Sequence, residues 1–320
     1  MRKTKGTTGA KGTNRIQKSR KPATSVRNGK SVRSSGRKRP RKPGRPGRKR
    51  RGGLRIRDRR IALITAVVVM AAAAVFLFCI SYVVLGSYNG LGKKDTIRLN
   101  RYSSDALYTE NGLRHYRDKN YRSIPGIDVS VFQGNVDWDK VYGAGIRFAM
   151  IRVGYSGSEK GTIHEDENFR KNLKGAKKAG LDVGVYFYSQ AITTDEAVRE
   201  AKYVVRHIRG RGITYPVVYD MEHTPGDRVG ELTKKEKTEI ADAFCTIVQK
   251  NSFRPMIYGN PEWLLKNLDL RYLTGYEFWL AHYSKTSYYP YQYAMWQYSS
   301  TGKIKGIRKN VDLNIYFVKK

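Results

Sequence analysis

From Ile124 onward, short apolar runs alternate with longer segments of helical period, and this alternation leaves few architectures open. Ile124–Val129, Phe148–Val153, Val183–Tyr188, Pro216–Asp220, Pro255–Tyr258, Phe278–Ala281, Ala294–Gln297 and Val311–Ile315 read as strands. Trp138–Ala144, Glu167–Ala179, Asp195–Ile208, Thr233–Asn251 and Pro261–Asn267 read as helices. Thr193 or Thr194 supplies an N-cap, and Thr233 with Glu236 forms a capping-box pattern. Strands that alternate with helices imply parallel β-α-β units. Several strands are apolar almost throughout, as expected when both faces are buried. At least seven of them favour a closed barrel over an open sheet. Helices thin out towards the end. The expected fold class is therefore α/β, an irregular TIM-like β/α barrel spanning residues 124–320.

The sequence ahead of this region has a different texture. Residues 1–60 hold 25 Lys and Arg against one acid, Asp58, which leaves +11 of the formal +35 for the rest. Such a segment has too little apolar surface to offset its ordering entropy, so a disordered basic tail is expected. Ile61–Leu85 is a run of 25 residues without a charge. A bilayer core needs about 20 apolar residues in a helix, and the apolar region of a cleaved signal peptide is roughly 7–15 residues long. An uncleaved transmembrane helix over 61–85 is expected. Basic residues stay on the cytoplasmic side, so the chain is read as a single-pass protein of a bacterial cell membrane. Its N-terminus is then cytoplasmic and its folded domain extracytoplasmic. The tail is expected to attract anionic lipid headgroups. It lacks aromatics to stack on bases, so no specific nucleic acid is expected. Residues 86–123 read as an extracytoplasmic linker, with a turn at Asn111-Gly112 and a short helix over Ser103–Tyr121. Of the two cysteines, Cys79 falls in the apolar run and Cys245 reads as a buried small hydrophobe.

Catalytic groups of such barrels sit at the C-terminal ends of strands. Acids in that setting are Asp128, the pair Asp220 and Glu222, and Asp312. Residues two apart on a strand share a face. Asp220 and Glu222 would then project together, and crowded, desolvated carboxyls have raised pKa values. A carboxyl kept protonated near neutral pH can donate a proton to a glycosidic oxygen. Tyr186, Tyr188, Tyr258, Trp279, Tyr283 and Trp296, with Gln297, lie in or near strand ends and are candidates for substrate binding. Tyr288–Tyr293 either lines a groove or packs on the domain itself, and His223 either orients Glu222 or faces solvent. The five histidines show no paired metal-ligand spacing, and no phosphate-binding loop or nucleophile elbow is present. No metal or cofactor is expected.

Taken together, GIDVSVFQGNVDW (126–138), FAMIRVGYSG (148–157), YPVVYDMEHT (215–224), MIYGN (256–260), FWLAHY (278–283), MWQYSSTGKIKGI (295–307) and VDLNIYF (311–317) resemble the glycoside hydrolase family 25 lysozymes. The resemblance runs from about Ile124 to Phe317. It implies an irregular β/α barrel that cleaves the β-1,4 bond between N-acetylmuramic acid and N-acetylglucosamine in peptidoglycan glycan strands, with retention of configuration. By position, Glu222 resembles the general acid and Asp220 the acid that assists the substrate's N-acetyl group. Asp128 and Asp312 match the two further acids, and the division of roles between Asp220 and Asp128 stays open. Phe187 stands where many relatives carry His, which puts local substrate contacts in question. A catalytically idle wall-binding module is the alternative function.

Overall fold

The computed structural model describes residue 61, residues 63–76 and residues 94–320. The basic tail expected over 1–60, and the parts of the expected linker and apolar run at 62 and 77–93, lie outside the described residues. Residues 63–76 are helical (α1) and exposed, with the Thr65 hydroxyl donating to the Ile61 carbonyl at 2.9 Å. Among the described residues, no helix is long and apolar enough to cross a membrane.

The remaining described residues build a barrel. Its strands are β3 (Tyr121–Val129), β4 (Phe148–Ser156), β6 (Asp182–Tyr188), β7 (Val217–Asp220), β8 (Pro255–Gly259), β9 (Glu277–Ala281), β10 (Met295–Gly302) and β11 (Val311–Lys319). A hairpin strand, β5 (Ile163–Glu165), extends β4. The sheet runs β3-β11-β10-β9-β8-β7-β6-β4 and closes through β3–β4. Within this closed ring the pairings are parallel except those of β11, which is antiparallel to both neighbours; β5 is added to β4 antiparallel. The helices α2 (Trp138–Gly143), α3 (Phe169–Lys178), α4 (Thr194–Ile208), α5 (Lys234–Lys250) and α6 (Pro261–Asn267) fall where the apolar periodicity predicts them. Thr193 caps α4, and Thr233 and Glu236 exchange both bonds of the capping box on α5. No helix separates β9 from β10, or β10 from β11, so the barrel is irregular at the C-terminal end as expected.

The reversal of β11 departs from the parallel β-α-β units expected where strands alternate with helices, and it has a simple cause. Residues 303–310 alone join β10 to β11. A parallel crossover needs a dozen residues or more, so so short a link forces a hairpin.

Strand alternation sorts side chains into two layers. Phe148, Met150, Val218, Met256, Trp279, Met295 and Tyr316 fill the barrel interior. Ala149, Ile151, Val185, Tyr219, Ile257, Leu280 and Ile315 face outward into the main core beneath the helices. Large interior side chains fit because glycines face them. A Cβ on Gly126 would lie 2.3 Å from the Phe148 ring.

The helix expected over Ser103–Tyr121 is not formed. After a short 3-10 turn, β1 (Leu107–Glu110) and β2 (Leu113–Tyr116) pair as an antiparallel hairpin. Asn111 and Gly112 both take positive φ, 51° and 77°, the geometry an Asn-Gly turn favours between right-twisted strands. Leu113 and Tyr116 are buried in the main core, and Tyr102 stacks on Phe317 at 3.8 Å. The second half of the expected linker is therefore part of the folded body.

Candidate active site

The interior layer ends at the rim in a groove of about 960 Å³. Asp128, Asp220, Glu222 and Asp312 all line it. Asp128 and Asp220 are carried in by inward positions near the ends of β3 and β7. Met221 turns outward into the core and Glu222 returns to the groove. Asp312 is only the second residue of its strand, but β11 runs backwards. Its α-carbon is therefore paired with that of Asp128 on the same rim.

These carboxyls are crowded away from water, and all four are harder to ionise than ordinary side chains. Burial, then the charges of Glu222 and Asp128, raises Asp220 well above the usual carboxylate range, against the opposing pull of Arg152. Burial and Asp312 raise Asp128, opposed by amide donors. Burial and Asp312 raise Glu222, and burial lifts Asp312 to about 6. Like charges in one low-dielectric site cannot all ionise together, so each carboxyl that loses its proton makes its neighbours hold theirs more tightly.

Asp128 is the anchored member. Its Oδ2 accepts from Gln297 Nε2 and Asn314 Nδ2, each at 2.8 Å. Trp279 Nε1 donates to Asn314 Oδ1 at 2.8 Å, which fixes that amide's orientation. Tyr258 and Tyr283 hydroxyls donate to Gln297 Oε1 at 2.9 and 2.8 Å. Asp220 is the opposite case: its Oδ1 is buried and has no hydrogen-bond partner. An acceptor left free in such a place is set to receive a donor from a ligand.

The groove thus brings together the four acids with Tyr186, Tyr188, Tyr258, Trp279, Tyr283 and Gln297. Trp296 does not belong to it and corrects the expectation. Met295 and Gln297 point inward, so Trp296 points outward; it is 1% exposed in the main core and donates Nε1 to the His282 carbonyl at 2.8 Å. The same parity settles Phe187. It lies between inward Tyr186 and Tyr188, is fully buried in the outer core and meets Tyr203 edge-on, so it leaves the groove untouched. His223 faces solvent and bonds Asp227 at 2.8 Å rather than Glu222. Tyr289 and Tyr293 are buried in the domain's own core, while Tyr288 is exposed.

Several lining residues escaped the sequence reading. Arg152 is inward by the parity of Phe148 and Met150, and its Nε bonds Asp166 at 2.8 Å. Phe132 and Tyr155 lie against the Arg152 guanidinium at 4.9 and 5.3 Å, and Phe132 is 64% exposed at the rim. Asn314, fully buried behind the lining, escaped it too; it shares a strand face with Asp312, and that two-residue spacing was the available signal. Among the described residues, no three of His, Cys, Asp and Glu are grouped to hold a metal ion.

A raised folded pKa has a defined sign in stability. An acid that binds its proton more tightly when folded favours the fold fully below its unfolded pKa, and this contribution is lost as pH rises through the folded value. For Asp312 the window runs from about 4 to about 6. Asp312→Asn is therefore expected to raise stability at pH 7 by about 1–3 kcal/mol and to leave it nearly unchanged at pH 3.5. Urea unfolding at both pH values checks this. An equal effect at the two would sink the argument.

Residues 127–307 match the family described as glycosyl hydrolases family 25. Lysozyme M1 of Streptomyces globisporus is 29% identical over 205 residues, covering 60% of this chain and 67% of that protein. The solved modular autolysin LytC of Streptococcus pneumoniae superposes with a TM-score of 0.54 at 23% identity, over 66% of this chain; the chain spans about half of it, 52%. A family 25 glycosyl hydrolase from Bacillus anthracis gives 0.53 at 23% identity, over 63% of this chain and 92% of its own. The two structural likenesses are of fold.

Proposed function

This chain belongs to glycosyl hydrolases family 25, and we propose on that premise that it cuts the β-1,4 bond between N-acetylmuramic acid and N-acetylglucosamine in peptidoglycan. The observation that carries this reading is the groove itself, where four desolvated carboxyls meet a wall of tyrosine and tryptophan. Aromatic faces suit the apolar faces of sugar rings, and tyrosine hydroxyls suit their oxygens.

In this reading Glu222, biased towards its protonated form by burial and by Asp312, gives its proton to the glycosidic oxygen as the C1–O bond breaks. The carbonyl oxygen of the substrate's own N-acetyl group bonds to C1, forming a cyclic intermediate. Asp220 accepts the N–H of that group through its unpartnered Oδ1 and stabilises the charge that develops there. Water then attacks C1, the ring opens, and the departing proton returns to Glu222. Two inversions give net retention. Asp128, fixed by Gln297 and Asn314, holds the frame against which the sugar is oriented, and Asp312 favours the protonated form of Glu222.

The uncharged run Ile61–Leu85 behind a tail with 25 basic residues supports a further part of the proposal. The chain is anchored in a bacterial membrane with residues 1–60 in the cytoplasm, against anionic headgroups, and the barrel outside, acting on its own cell's wall. Domain bounds of 1–60, 61–85, 86–123 and 124–320 follow from that arrangement, with the hairpin joined to the last.

Mass spectrometry of peptidoglycan incubated with the full chain tests the activity. New reducing-end N-acetylmuramic acid is expected. Intact glycan that nevertheless sediments with the protein would replace the enzyme by a wall-binding module.

A further inference from the structure

The hairpin β1–β2 precedes residue 127, where the family match begins, yet it contacts residues that flank the groove-lining Tyr283 and Gln297 in the chain. Arg114 of β2 lays its guanidinium over the rings of Trp296 and Tyr298, 4.7 and 4.6 Å from their centroids. Its backbone N–H donates to the Tyr298 hydroxyl at 3.1 Å, and its Nη1 donates to the Ser284 carbonyl at 2.7 Å. Trp296, pressed beneath the same guanidinium, donates its Nε1 to the His282 carbonyl at 2.8 Å. The carbonyls on both sides of Tyr283 are thus pinned from one cation–aromatic stack.

Tyr283 is the residue whose placement needs this support. It sits in the 282–294 connection, which has no helix, and the residue is 55% exposed while lining the groove. Its hydroxyl donates to Gln297, and Gln297 donates to Asp128. A half-exposed tyrosine on an irregular loop would otherwise lose rotamer freedom when a ligand binds, and fixing its backbone beforehand removes part of that cost.

We propose that Arg114 is a positioning residue for substrate binding, holding Tyr283 in the wall of the groove from a hairpin that lies outside the matched family segment. The segment between the apolar run and the barrel then has a part in how glycan is held. The inference rests on the reading of the groove as a glycan site.

The test is a double-mutant cycle on the full chain with soluble peptidoglycan glycan fragments, using Arg114→Ala, Tyr283→Ala and the pair. Arg114→Ala is expected to raise KM about 5- to 10-fold with kcat changed less than about 2-fold. In the Tyr283→Ala background the same change is expected to alter KM less than about 2-fold, because the group it positions is gone. Equal effects of Arg114→Ala in both backgrounds, or no effect on KM in the wild type, would overturn the proposal. A residue that only stabilised the fold would lower the active fraction alike in both. Should Arg114→Ala fail to fold, Arg114→Lys replaces it; lysine keeps a donor but loses the planar face that stacks on Trp296, and the cycle is read in the same way. Should the wild type bind glycan without cutting it, the hydrolase reading fails, and the cycle is run on Kd with the same criteria.

Discussion

Glu222→Gln is expected to lower kcat/KM on peptidoglycan by about 10²–10⁴-fold while the barrel stays folded. Glutamine keeps the shape and hydrogen-bonding reach of the side chain but has no proton to transfer. Burial and the charge of Asp312 bias Glu222 towards its protonated form, which glutamine matches in charge. Thermal unfolding should therefore shift little. The measurement is the initial rate of reducing-end release, with circular dichroism on the same preparation. Activity within tenfold of wild type would exclude Glu222 as the acid and leave Asp220 or Asp128 to be tried in its place.

Asp220→Asn should move activity and stability in opposite directions. Its Oδ1 is buried without a partner, and Glu222 and Asp128 crowd it. Neutral asparagine removes the cost of burying a carboxylate, and with it the repulsion from neighbouring acids, that the fold otherwise bears above the ordinary carboxylate range. A rise in Tm of about 2–4 °C at pH 7 is expected, fading below about pH 4 where the native carboxyl is protonated in both states. Activity should fall about 10²–10³-fold, because an amide cannot stabilise the positive charge that develops on the substrate's N-acetyl group. This opposition is the usual mark of a group kept for function at the expense of the fold. A variant that is both less active and less stable at pH 7 would mean that Asp220 supports the structure, and its role in the proposed mechanism would have to be withdrawn.

Much of the groove was legible because strands obey a two-residue period. Asp220 and Glu222 could be put on one face from spacing alone, and the inward tyrosines 186 and 188 follow by the same count. The two misassignments, Trp296 as a groove residue and Phe187 as a possible loss of a contact, came from weighing residue type ahead of that parity. Counting from Gln297 sends Trp296 outward, and counting from Tyr186 does the same for Phe187. The helix expected before the barrel failed for a related reason. Asn111-Gly112 is a hairpin turn when apolar residues such as Leu107 and Leu113 flank it, and the local turn chemistry outweighed a weak helical pattern.

The sequence by itself determined the alternation of strands and helices, the layer to which each strand residue belongs, and the four acids on which the chemistry is proposed to turn. These follow from local periodicity and from the desolvation that awaits any carboxyl at the end of an apolar strand. Tertiary structure alone decided how the acids meet. Asp312 lies near the start of its strand, and it faces Asp128 only because the hairpin link reverses β11 against both neighbours. The chain from Tyr258 and Tyr283 through Gln297 to Asp128 draws on three different strands and a loop. Arg114 reaches Ser284 across 170 residues of sequence. No window of sequence contains such pairs, because side-chain hydrogen bonds and cation–aromatic contacts are fixed by barrel closure and register rather than by the residues beside them in the chain.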